Sequence, residues 1–150
     1  MDITRKIREE LLADYGQIIN GLCTPDEFVN MVMEDIIVNT AQCINLDYHD
    51  VTCVLRYASV ADAVRLQGNK TEMRQMLDTG LEKLKAAHPQ KEVCTIMVQI
   101  LAPTEDLVMD DINVFNEFFA QFDDIDIKWG MANRCNPGDA IQVTMIIGFK

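Results

Sequence analysis

No two of the seven glycines are adjacent, and none stands in a glycine-rich run. Backbone amides need such a run to wrap a polyphosphate, so the chain carries no phosphate-binding loop of its own. Paired cysteines are missing too. Cys23, Cys43, Cys53, Cys94 and Cys135 are odd in number and scattered, with no Cys-x-x-Cys spacing. This argues against disulfides and zinc and for reduced, structural thiols. Basic side chains are outnumbered 13 to 24 by acidic ones, leaving a net charge of −11. A chain so charged repels phosphate backbones and anionic lipid, which removes non-specific nucleic-acid binding from the function classes. No window approaches the ~20 apolar residues of a membrane span, and Met1 to Lys6 runs into charges instead of an apolar signal core. The expectation is a cytoplasmic protein with no membrane span and no nucleic-acid partner.

What is present is a globular composition. Apolar residues make up 49% of 150, enough for one hydrophobic core and no second domain of similar size. Ile3, Ile7, Leu11, Ile18 and Leu22 recur at helical spacing, which predicts an amphipathic helix from Ile3 to about Leu22, weakened by Gly16. Thr24-Pro25-Asp26-Glu27 carries an N-cap, a first-turn proline and a glutamate placed for a capping box. A second helix should therefore start there and run to about Ala41. A carboxylate loop follows, then a short helix through Val51, Val54 and Leu55. Val60, Val64 and Leu66 alternate as a strand that Asp62 interrupts; Met73 to Ala87 has strong helical periodicity; Val93 to Leu101 is an almost continuous apolar strand. Met109, Ile112, Phe115, Phe118, Phe119 and Phe122 mark another helix, whose aromatic stripe reads as packing surface. Two alternating strands close the chain, joined by Asn136-Pro137-Gly138-Asp139, which predicts an antiparallel hairpin. The order predicts an α+β fold: a four-stranded mixed sheet with two long helices on one face, preceded by N-terminal helical segments on another side.

The stretch Asn45-Leu46-Asp47-Tyr48-His49-Asp50 concentrates the chemistry. It sets a carboxamide and two carboxylates on a short turn, a cluster able to orient water or a cation. The same residues have a purely structural reading. Asp47 caps the next helix through backbone N–H groups, and Asp50 favours its N-terminal dipole. Both roles can hold at once. His49 lies beside the two Asp residues, but a lone loop histidine assigns no metal site, and no cofactor is expected. His88, just before Pro89, reads as a cation at a helix C-terminus. Asp123, Asp124 and Asp126 read as the rim of a solvated turn.

Ile44-Asn45-Leu46-Asp47-Tyr48-His49-Asp50-Val51 resembles the I-N-x-D-[FY]-x-D-V loop of the FtsZ/tubulin family, at the same place between a long and a shorter helix. Asp139 to Phe149 resembles that family's last strand, and Glu92–Leu101 with Asp110–Gly130 looks like its strand-helix-strand. The resemblance covers about residues 27–150. It implies a stand-alone, FtsZ/tubulin C-terminal-domain-like fold over residues 25–150, with residues 1–24 as an amphipathic extension. The departures are equally plain. The family's Gly-rich phosphate loop is absent, Ala41-Gln42-Cys43 replaces the usual Pro-Gly, and Gln67-Gly68-Asn69 shortens a glycine-rich segment.

The resemblance implies that Asn45, Asp47 and Asp50 face the nucleotide of an adjacent FtsZ-type subunit, completing a GTPase site in trans. On its own the chain is then no enzyme. The expected function is a non-enzymatic interaction module, associated with bacterial cell division, whose 43–51 loop docks on the nucleotide face of a filament subunit and modulates polymerisation. The alternatives are a structural homo-oligomer with no filament role and a cation-dependent ligand-binding protein. Residues 1–24 are expected to cover apolar surface that the family's GTPase domain would bury.

Overall fold

A computed structural model describes residues 3–37, 42–44, 46–102, 109–133 and 140–150. It starts with helix α1 (Ile3–Tyr15). This helix ends well before Leu22: Gly16 closes the last turn on Leu12 O, and Ile18 to Asn20 leave the helix to bridge Ala61. Helix α2 (Pro25–Val32) begins where the local signals place it. Thr24 Oγ1 accepts from Glu27 N at 3.2 Å, and Glu27 Oε1 accepts from Thr24 N at 3.0 Å. At Met33–Ile37 the helix widens into a π-helical turn, and its expected end near Ala41 falls on residues 38–41, outside the described ones.

Strand β1 (Gln42–Ile44) comes next, then helix α3 (Tyr48–Arg56). The segment 43–51 is thus strand at its start and helix at its end, with only a short connection between them. Strand β2 (Val60–Gly68) leads through a 3-10 turn at Lys70–Glu72 into helix α4 (Met73–Ala87). Strand β3 (Val93–Ala102), helix α5 (Met109–Phe119), strand β4 (Asp126–Asn133) and strand β5 (Ile141–Phe149) complete the chain.

The four long strands form the expected mixed sheet, and β1 adds a short fifth at one edge, in the order β1-β4-β3-β5-β2. The predicted β4–β5 hairpin is not there. β4 runs parallel to β3, from Thr95 opposite Asp126 to Ala102 opposite Asn133, while β5 runs antiparallel on the other side of β3. The turn Asn136–Asp139 lies outside the described residues. The physical reason is the character of β3. Its residues from Thr95 to Ala102 are all buried, so both edges of its backbone need partners within the sheet. β4 returns from the α5 crossover onto one edge, and β5 must take the other. β5 also separates β2 from β3, which consequently run parallel without touching.

Two cores flank the sheet. On one face α4 and α5 bury Leu77, Leu84, Phe115 and Phe118 against Ile96, Val98, Val143 and Met145. Burying a phenylalanine or leucine of this kind stabilises by about 1.5–3 kcal/mol. Phe115 also stacks on Trp129 with ring centroids 5.6 Å apart, so the aromatic stripe serves packing as its spacing predicts. On the opposite face α1, α2 and α3 bury Leu11, Phe28, Val32, Val51 and Leu55 against Ala61, Ala63, Met97 and Ile146. Gly148 lets α3 lie close to the sheet: a Cβ there would come 2.5 Å from Thr95 Oγ1 and 3.1 Å from Val54 O.

Candidate functional site

The start of α3 is built from its own side chains. Asp47 is extended (φ −133°, ψ −177°), and its Oδ1 accepts from Asp50 N at 3.0 Å. Asp50 Oδ2 returns the contact, accepting from Asp47 N at 3.0 Å. Two N–H groups that would otherwise lack a partner at the helix start are satisfied reciprocally. The capping role read for Asp47 is therefore present, and Asp50, read only as favouring the helix dipole, completes a capping box. It does not use both carboxylates equally. Asp50 is half-buried, and its second oxygen, Oδ1, sits 3.6 Å from Lys128 Nζ on β4. Asp47 is exposed, and its Oδ2 has no partner among the described residues. One carboxylate is held; the other stands exposed at the positive end of a helix. Asn45, the third residue of the predicted cluster, lies outside the described residues.

The neighbours of this turn are acidic and aromatic. The Tyr48 hydroxyl donates to Glu10 Oε2 of α1 at 3.5 Å, which ties the N-terminal helix to the loop. Burial, then the charges of Glu10 and Asp14, push the Tyr48 phenol above its ordinary range. His49 is exposed, and its Nε2 approaches Cys53 Sγ at 3.5 Å one helical turn on. Among the described residues, no three His, Cys, Asp or Glu side chains gather as metal ligands. Asp123 and Asp124 are exposed, and Asp124 adopts φ 57° in the turn before β4, matching the solvated rim expected there.

Two polar clusters were not foreseen as sites. In the first, the fully buried Asp62 carboxylate accepts from Leu22 N at 2.7 Å, Cys23 N at 3.1 Å, Ala63 N at 2.9 Å and Cys23 Sγ at 3.2 Å. His88 Nε2 lies 2.9 Å from its Oδ2, and the imidazole rests 4.7 Å from the Phe149 ring. His88 does occupy the end of α4, but its ring turns inward instead of toward the last carbonyls. The arrangement is a clamp and not a nucleophile site. Burial, then the hydrogen bond and charge of Asp62, push the Cys23 thiol up to about 12, so it stays protonated and inert. The sequence signal was Asp62 itself, a charge in the middle of an alternating strand.

The second cluster lies under the π-helical turn. Asp35 is buried and accepts from Arg65 Nε at 3.1 Å, Arg65 Nη2 at 3.0 Å, Gln142 Nε2 at 3.0 Å and Thr144 Oγ1 at 2.5 Å. Arg65 also reaches Glu34 Oε2 at 3.0 Å. Gln99 Nε2 donates to Asp35 O at 3.0 Å, while its buried Oε1 has no partner among the described residues. The network joins the π-helical turn to three strands of the sheet.

No protein-family model matches the chain, and no curated protein matches it. Solved structures do. An FtsZ variant from M. jannaschii is 17% identical with a TM-score of 0.57, over 82% of this chain and 36% of that one. TubZ of Bacillus thuringiensis serovar israelensis, in GDP-form protofilaments, is 14% identical with a TM-score of 0.60, over 83% of this chain and 35% of that one. A helical model of the TubZ-Bt four-stranded filament gives 12% identity and a TM-score of 0.61, over 83% of this chain and 33% of that one. The chain thus spans about a third of the length of the structures it matches. At such identities the likeness establishes the fold, which is FtsZ/tubulin C-terminal-domain-like. No helix among the described residues is long and apolar enough to cross a membrane.

Proposed function

We propose that this chain is a non-enzymatic interaction module that docks its 43–51 segment on the nucleotide-bearing face of an FtsZ-type filament subunit and modulates assembly. The observation that carries this reading is the unequal use of the two carboxylates: Asp50 is held by Asp47 N and Lys128, whereas the exposed Asp47 has no partner for its Oδ2 among the described residues. A preorganised carboxylate of that kind can orient a water or cation against a phosphate that another molecule supplies. The chain has no glycine-rich loop to hold the phosphate itself. Support also comes from the solved neighbours, which include TubZ in GDP-form protofilaments and in a four-stranded filament. Asp47 then supplies the polar contact, Asp50 and Lys128 position it, and Asn45 is the third residue that the resemblance assigns to the contact. Residues 1–24 take the place of cover over the α2–α3 face, and bacterial cell division is the setting that the FtsZ resemblance implies.

The test is pelleting and GTP turnover of the FtsZ-type protein from the source organism, with and without excess chain. Polymer mass and turnover should both change, and Asp47→Asn should suppress the change. Unchanged polymer mass and turnover at excess chain would remove the proposal.

A further inference from the structure

The two edges of the sheet are guarded very differently. The β1 edge is only three residues long, and very short edge strands are one way in which proteins discourage unwanted pairing. The β2 edge is nine residues long, and among the described residues only its beginning has a backbone partner on the outer side. Ala61 N donates to Ile18 O at 3.0 Å, and Ala61 O accepts from Asn20 N at 3.1 Å. The Ala61 amide therefore points away from β5. Strand alternation turns Ala63, Arg65 and Gln67 to the same outer side. Asp62 Oδ1 takes the Ala63 N–H at 2.9 Å. The N–H and C=O groups of Arg65 and Gln67 then have no backbone partner among the described residues. Burial follows the same division: Ala61 to Ala63 are buried, Val64 to Leu66 half-buried and Gln67 exposed.

Beyond Ala63, β2 carries none of the usual bars to pairing. Its register with β5 runs without a bulge from Val60 to Gly68, and the strand holds no lysine or proline. Its outward-register charge, Arg65, is folded back onto Asp35 and Glu34 and so presents no guard at the edge.

We infer that the β2 edge pairs with a second copy of this chain, antiparallel about a two-fold axis at Leu66. This inference does not depend on the proposed filament role. In that register Arg65 and Gln67 of one copy exchange backbone hydrogen bonds with Gln67 and Arg65 of the other, satisfying all four outward groups on each strand. An isologous interface has to be self-complementary, and this one is. Leu66 meets Leu66 and Val64 lies opposite Gly68, while Arg65 keeps its contacts to Asp35 and Glu34 and Gln67 its contact to Gln142. Centring the axis on Arg65 instead would set Gln67 opposite Ala63, whose N–H Asp62 Oδ1 already takes. The five-stranded sheets of two copies become one continuous sheet. Because β1 and β4 lie at the far side of each sheet, the two 43–51 segments point to opposite ends and stay free.

Light scattering coupled to sizing chromatography, over a concentration range, reads the outcome. The wild-type chain should elute with the mass of a dimer. Gln67→Pro removes an outward N–H and should weaken the dimer by at least about tenfold. Gln67→Ala, which loses the same side chain but keeps that N–H, should remain dimeric. Leu66→Cys places two thiols at a non-hydrogen-bonded pair, a separation a disulfide can span. It should give a reducible covalent dimer beyond the wild-type background, and it decides the matter should Gln67→Pro fail to fold. A wild-type chain monomeric at every concentration would overturn the inference. So would a dimer indifferent to Gln67→Pro, or a Leu66→Cys variant that does not cross-link.

Discussion

Asp47 and Asp50 show how one pair of residues can be both a cap and a candidate contact, and substitutions separate the two. Asp47→Ala removes the acceptor for Asp50 N and should cost about 1 kcal/mol, read by urea unfolding. Asp47→Asn caps as well as aspartate, so it should leave stability nearly unchanged while removing the charge. Asp35 is a more expensive residue to lose. Asp35→Ala leaves Arg65, Gln142 and Thr144 without their shared acceptor and should cost about 3 kcal/mol or more. Cys23 gives a pH signature. Its folded thiol titrates at about 12 against an ordinary 9.0, so below pH 9 both states are protonated and its contribution is fully present. Between about pH 9 and 12 the unfolded chain loses the proton first, and stability falls as pH rises. Cys23→Ser should flatten that alkaline decline in a denaturation series, and Cys23 should resist alkylation at pH 8 until the chain unfolds.

At the scale of elements, the N-terminal segment is held by the Asp62 clamp as much as by the apolar face of α1. Gly21 sits at φ 124°, and a Cβ there would fall on Asp62 Oδ2 and within 2.5 Å of His88 Nε2. Gly21→Ala should therefore destabilise by about 2 kcal/mol. Hydrogen exchange should show the loss of protection concentrated in residues 18–24. How much of this was legible in the sequence depended on how local its cause is. The α2 start was fully legible, because Thr24 and Glu27 make their contacts within one turn. The Asp47 cap was legible for the same reason. The end of α1 was misplaced because Ile18 and Leu22 keep helical spacing while serving the β2 edge and the Asp62 clamp. The hairpin was misread because Asn136-Pro137-Gly138-Asp139 signals a turn but not which strand stands beside which. That choice is made by β3, whose two edges both need partners. Asp62 stood out as a charge within a strand pattern and Asp35 did not, and the donors to both side chains include residues far along the chain, out of reach of any spacing rule.

At the scale of the molecule, the sheet has one face closed by α4 and α5 and the other by α1, α2 and α3. What remains to present is an edge and a loop. The proposed docking role places function at the loop, on the β1–β4 side, with the phosphate contributed by the partner. The measurement that meets this claim most directly is a titration of the fluorescently labelled chain into nucleotide-loaded, assembly-blocked FtsZ-type subunits. The same titration with Asp47→Asn separates charge from capping. Saturable binding that Asp47→Asn weakens about tenfold or more, at unchanged stability, is the predicted result. Absence of binding, or binding indifferent to the loss of that charge, would contradict it.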